Sequence, residues 1–169
     1  ITYIGKTKPK GIRVTLISDN LYSTYSGMIP GYIQGEYSWK DINIDILRLA
    51  NKFNVRIIQA TVTNVLHSKK MIYLEKRPPI NYDILSINLG IISKKNNIIG
   101  AVKNTYSLKP ISKVKETVDK TLEYFKNSNK KENLVIIGGG AAGVEVSLAF
   151  NSRFNKLKIK HQIYLISKN

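Results

Sequence analysis

The chain has 169 residues, of which 43% are hydrophobic: room for one domain or one and a half, and for a core. It contains no cysteine, which excludes disulfide staples, thiolate metal sites and a redox dithiol within this chain, and makes a reducing cytoplasmic compartment the expectation. The net charge of +16 comes from 22 lysines against 5 arginines, scattered or in short pairs such as Lys69-Lys70 and Lys130-Lys131. That pattern is a compositional bias rather than a basic arm that reads nucleic acid, so no nucleic-acid partner is expected.

In chain order, residues 14–18 read as a strand after a basic connector. Residues 19–37 are rich in Gly, Pro, Ser and Tyr without a clear period, and predict a long loop of the kind that binds ligands. Ser38-Trp39-Lys40-Asp41 resembles a capping box with Asp in place of Glu. It predicts a helix with Ile42, Ile46, Leu49, Ala50 and Phe53 on one core-facing side. From residue 55 to 89 the pattern turns to β. Residues 55–58, 61–66 and 71–75 read as strands, the last two flanking the turn His67-Ser68-Lys69-Lys70. Arg77-Pro78-Pro79 then breaks the run before a strand over 82–89. Residues 112–126 predict a helix carrying Val114, Val118, Leu122 and Phe125 on one side, and residues 127–133 a polar linker. Neither His67 nor His161 has a carboxylate or second histidine nearby in sequence, so no metal or acid/base site is expected at either.

The stretch with the most chemistry comes late. An apolar strand, Leu134-Val135-Ile136-Ile137, runs into Gly138-Gly139-Gly140-Ala141-Ala142-Gly143-Val144-Glu145, a Gly-x-Gly-x-x-Gly turn that opens a helix. Gly138 permits a tight turn, Gly140 leaves room for a pyrophosphate, and Gly143 lets helix and strand pack closely. The helix N-terminus at Ala141 adds N–H groups and a positive dipole end for the phosphates. A glycine-rich turn without a ligand is the competing reading; the flanking strand and helix favour a nucleotide site. The next strand, residues 162–167, ends in Ser167 followed by Lys168. An acid there would hold a ribose 2′-hydroxyl and indicate NAD, so this pair leans toward tolerance of a 2′-phosphate. Residues 134–169 amount to one βαβ unit, and the front lacks an obvious start, so an internal fragment of a larger protein is expected.

The order of these features, with Tyr82-Asp83 leading to Gly90, resembles the pyridine nucleotide-disulfide oxidoreductase superfamily, in which an FAD domain is interrupted by an NAD(P)H domain. Tyr25-Ser26-Gly27-Met28-Ile29-Pro30-Gly31 and the stretch from Arg77-Pro78-Pro79 to Tyr82-Asp83-Ile84-Leu85-Ser86 are most similar to the type II NADH dehydrogenase-like flavoprotein module that some organisms fuse to selenide, water dikinase. The resemblance covers essentially the whole chain. It implies an α/β fold: an incomplete FAD-binding Rossmann-like domain with a β-meander insertion over residues 1–127, then the first βαβ of an NAD(P)-binding Rossmann domain over 128–169.

It also implies hydride transfer from NAD(P)H to FAD, and then to a quinone or other small electron acceptor. The cofactors carry that chemistry, so no catalytic side chain is named. On this sequence the resemblance places Ser18 and Asp19 at the adenosine ribose of FAD, with Ser18 where a carboxylate is usual. Val62 falls toward the adenine, and Gly90 beside the flavin, in Asn88-Leu89-Gly90 rather than Ala-Thr-Gly. Ser26 and Gly27 open the segment where disulfide reductases carry their dithiol; without cysteine this chain performs no thiol–disulfide exchange. Glu145 either faces the nicotinamide half or is a first-turn glutamate favoured by the helix dipole. Peripheral membrane contact and a homodimer stay open, and a non-catalytic nucleotide-sensing or interaction module is the alternative function. Residues 1–169 alone, without a first strand and its glycine turn, are expected to hold no flavin and to oxidise no NAD(P)H.

Overall fold

The computed structural model describes residues 2–7, 10–92 and 99–167. They form two compact units, the first made of residues 1–23 and 43–89, the second of residues 24–42 and 90–169. Among the described residues no helix is long and apolar enough to cross a membrane.

The first unit opens with a short helix, α1 (Thr2–Thr7), and strand β1 (Thr15–Ser18). Strand β2 (Tyr22–Thr24) pairs with β3 (Asn43–Asp45). Helix α3 (Ile46–Lys52) follows at once and leads to β4 (Arg56–Gln59), which lies parallel to β1 with Thr15 opposite Arg56 and Ser18 opposite Gln59. A parallel pair needs a long crossover, and here its last part is α3.

The helix expected to start at Ser38-Trp39-Lys40-Asp41 begins later. Ser38 and Asp41 do bind one another: the Ser38 hydroxyl donates to Asp41 Oδ2 at 2.6 Å, and the Asp41 N–H donates to Ser38 Oγ at 3.3 Å. They close a turn, however, and a strand follows. The cap is Asp45, whose carboxylate accepts from the Arg48 N–H at 2.8 Å. That leaves Ile42 outside α3, buried in the second unit's core, whereas Ala50 is buried within the first.

Strands β5 (Val62–Leu66), β6 (Met71–Leu74) and β7 (Arg77–Asn81) make an antiparallel meander in that order. Ile72 and Leu74 of β6 are buried together with Ile58 of β4, with Ile17, Ala60, Ile80, Tyr82 and Leu85 packed around them. Pro78 and Pro79, expected to interrupt the β run, lie inside β7. An edge strand tolerates proline because one row of its N–H groups has no ladder partner to lose. The strand expected over residues 82–89 does not form. No neighbour among the described residues supplies it a ladder, and Ile84, Ile87 and Leu89 are exposed.

The second unit starts with a 3₁₀ turn over Ser26–Met28 and helix α2 (Ile29–Gln34), inside the segment expected to be loop. Pro30 sits in the first turn, where its missing N–H costs nothing, and Gly35 ends the helix at φ +80°. Ile29 and Ile33, one turn apart, are both buried. A short helix α4 (Ala101–Asn104) and helix α5 (Val114–Asn127) follow. Then come β8 (Glu132–Ile137), α6 (Ala141–Lys156) and β9 (His161–Ile166), with β8 and β9 parallel.

Ile29, Ile33 and Ile42 share one core with Val114, Val118 and Phe125 of α5 and with Val146, Ala149, Phe150 and Phe154 of α6. Phe125 stacks on Phe154 with ring centroids 4.5 Å apart. Arg153 of α6 donates to the Gln34 carbonyl at the end of α2, at 3.3 Å. Residues 24–42 and α5 therefore belong with the glycine turn, because their apolar faces are buried together with that of α6. A cut at 127/128 does not coincide with the compact units.

Candidate functional site

The glycine turn joins β8 to α6. Leu134 and Ile136 of β8 pack toward the core, as does Ile163 of β9, whereas Val135, Ile137, Tyr164 and Ile166 are exposed. The strand pair so anchored presents its carboxyl ends, Ile137 and Ile166, at the start of α6. In α/β sheets the carboxyl ends of parallel strands are where ligands bind.

Each glycine of the motif answers a different demand. Gly138 has φ +121°, a conformation that disfavours any side chain, and its N–H donates to the Ile166 carbonyl at 2.8 Å. Gly140 is the N-cap of α6, and a Cβ built on it would meet nothing within 4 Å, so the space in front of it is open. Gly143 allows no side chain, because a Cβ there would overlap the Gly138 carbonyl oxygen. Ala141 and Ala142 form the first turn, whose N–H groups have no acceptor within the helix. These features fit a pyrophosphate: a cradle that a Cβ at 140 would fill, at a helix N-terminus. Glu145 is exposed in the next turn.

The remaining sequence-predicted residues fall into two groups. Within the first unit, Ser18 ends β1 beside Gln59, and the Ala60 N–H donates to the Ser18 carbonyl at 3.0 Å, so Ser18, Asp19 and the start of β5 at Val62 lie at one carboxyl end of the β1–β4 pair. The Ser18 hydroxyl donates to the Asn20 carbonyl at 2.7 Å and so braces its own turn, while Asp19 is exposed. Within the second unit, Ser26 and Gly27 lie exposed on the 3₁₀ turn that leads into α2, the helix packed against α6. Gly90 is exposed, and a Cβ there would touch nothing within 4 Å. Lys168 lies outside the described residues.

Two features of this unit were not legible in the sequence. One is Gly139, where a Cβ would run into the side chain of Ser167 just beyond β9. The other is Tyr32 of α2, whose hydroxyl donates to Asp119 of α5 at 3.3 Å. Burial, reinforced by the negative charge of Asp119, pushes its phenol up to about 12. Among the described residues no group of three or more His, Cys, Asp or Glu could hold a metal. His161 has a structural place: its ring nitrogens face the Ile159 carbonyl at 2.8 Å and Asn151 Oδ1 at 2.9 Å, and its ring packs edge-on against Phe154.

Comparison with known proteins places this geometry in a wider group. The family described as pyridine nucleotide-disulphide oxidoreductase matches residues 2–168. The chain is 26% identical over 151 residues to the NADH dehydrogenase-like protein YutJ of Bacillus subtilis, covering 89% of this chain and 41% of that relative. It is similar to the solved structure of NDH2 from Plasmodium falciparum in complex with NADH, with a TM-score of 0.78 and 26% identity, covering 92% of this chain and 37% of the other. The sulfide:quinone oxidoreductase of Aquifex aeolicus shares the fold, with a TM-score of 0.74 at 20% identity over 98% of this chain and 39% of that one. The chain thus spans about two-fifths of the length of the relatives it matches.

Proposed function

The chain belongs to the pyridine nucleotide-disulphide oxidoreductase family, and from that premise we propose that it is part of an FAD-dependent NAD(P)H dehydrogenase. The observation that carries the reading is the glycine turn: left-handed at Gly138, open in front of Gly140 and closed against Gly143. Gly138, Gly140, Ala141 and Gly143 would hold the pyrophosphate of the nicotinamide dinucleotide, with Glu145 toward its nicotinamide half. Ser18, Asp19 and Val62 are assigned to the adenosine half of FAD. The Ser18 hydroxyl is engaged by Asn20, so the exposed Asp19 carboxylate is the group for the ribose. Ser26, Gly27 and Gly90 are assigned to the flavin half.

A bound flavin would supply the hydride and electron-transfer chemistry between the nicotinamide and a quinone or other small acceptor, which amino-acid side chains do not supply. The chain's own work is to bind and orient. In domain terms the reading gives residues 1–127 to FAD and residues 128–169 to NAD(P)H, two functional assignments laid over the compact units. It places the protein in the cytoplasm, in peripheral contact with a membrane where the acceptor is a quinone; recovery of the protein with soluble or membrane fractions checks this.

Gly140→Val in the whole protein is the test. The side chain would fill the open space, so NAD(P)H binding should be lost while flavin absorbance is retained. Normal NAD(P)H oxidation by this variant would make the turn purely structural.

A further inference from the structure

We infer that Arg153 is a positioning residue: from α6 it sets the register of α2, and with it the 3₁₀ turn that carries Ser26 and Gly27. This rests on the reading that assigns that turn to the flavin half and the glycine turn to a nicotinamide dinucleotide. Turn and helix form one body, because the Ile29 N–H, where α2 begins, donates to the Ser26 carbonyl. The helix is only about 9 Å long, so a shift at its Gln34 end is passed on to Ser26.

Burial alone does not fix that register. Ile29 and Ile33 share a core with Phe150 and Phe154 of α6, but apolar contact is non-directional, and so short a helix cannot hold its form unaided. The directional contact is Arg153, whose Nη1 donates to the Gln34 carbonyl at 3.3 Å. The closing turn takes up the Gly31 and Tyr32 carbonyls instead. The guanidinium lies across Gly35: a Cβ there would overlap Nη1 and stand 2.5 Å from Cζ and 3.3 Å from Nε. Gly35, at φ +80°, thus both ends the helix and leaves the space that the arginine occupies. Lys156 faces Glu36 at 3.9 Å, but these side chains are 55% and 52% exposed, and such pairs add little.

Arg153 Nε is buried without a hydrogen-bond partner, and a buried unpaired N–H destabilises. Stability alone does not call for that group; what arginine adds is geometry, a planar fork held across the end of α2. It stands about 18 Å along α6 from Ala141 and therefore acts through α2, not on the nucleotide at the glycine turn. Reacting centres need a spacing of about 3–3.5 Å, and a misplacement of about 1 Å can cost a hundredfold in rate. The register of α2 against α6 accordingly governs rate and leaves nucleotide affinity alone.

The test is Arg153→Met in the whole protein, which keeps an apolar stem and removes the fork. Hydrogen exchange of residues 26–35, followed without added nucleotide, should quicken by about tenfold or more while α5 is unchanged. The rate of flavin reduction at saturating NAD(P)H should fall by about tenfold or more, with KM held within about twofold. Unchanged exchange over residues 26–35, an equal rise over α5, an unchanged saturating rate, or a KM that shifts as much as the rate overturns the inference. If Arg153→Met does not fold, Arg153→Lys is judged by the same criteria, since its ammonium lacks the fork. Failure of both variants to fold overturns the inference, because Arg153 would then act on folding. The parent reading fails separately: it falls if the unsubstituted protein binds neither flavin nor NAD(P)H, a result seen before any variant is made.

Discussion

Side chains added along the glycine turn should fail in different ways. Gly143→Ala puts a methyl group into the Gly138 carbonyl oxygen, so the first turn of α6 must move off β8. Overpacking of this kind costs about 1–3 kcal/mol and would lower the denaturant midpoint. Gly140→Ala meets open space and should leave that midpoint nearly unchanged while weakening NAD(P)H binding in a titration. Equal stability losses at both positions would contradict the steric division. The spacing of these glycines could be read from sequence because each demand is local to one strand, turn and helix start. Ser167 could not be assigned to Gly139 in the same way, since that contact depends on where β9 ends relative to a turn on the far side of α6.

At the scale of elements, α2 was hidden by its own composition. Pro30, Gly31 and Gly35 look like loop residues, and six residues are too few to set up a period. Its helical form depends on burying Ile29 and Ile33 in the core that also takes in α5 and α6, which no local pattern announces. Asp45 was overlooked for a related reason: Ser38 and Asp41 imitate a cap closely enough to bond one another, yet the chain extends after them. The long periodic helix α5 was legible because the spacing of Val114, Val118 and Phe125 matches its real burial.

Tyr32 gives α2 a pH signature. Its phenol is held neutral, from an ordinary value of 10.0 up to about 12, chiefly by burial. The unfolded chain ionises first on raising pH, so this contribution to stability is complete below pH 10 and is lost as pH climbs toward 12. Tyr32→Phe should flatten the loss of stability over that range, measured by chemical denaturation at each pH. An unaltered alkaline slope would show that the phenol is not protected.

For the whole molecule, the charge of +16 carries its own expectation. If the lysines are compositional, duplex DNA should bind weakly, without preferred sequence, and be released steeply as salt rises, because only phosphate neutralisation drives it. A sequence-specific complex that survives physiological salt, read by competition with unrelated duplexes, would displace the oxidoreductase reading.

The bond from Arg153 to the Gln34 carbonyl joins residues 119 positions apart in the chain. A ribosome adds roughly 5–20 residues per second, so Ile29 and Ile33 emerge on the order of ten seconds before the helix that will shelter them. Until then only Ile42 and, later, α5 can begin to cover the segment, and its apolar side stays partly open. The birth order of the polypeptide thus sets an early period in which the apolar side of α2 stands uncovered, well before any nucleotide could be bound.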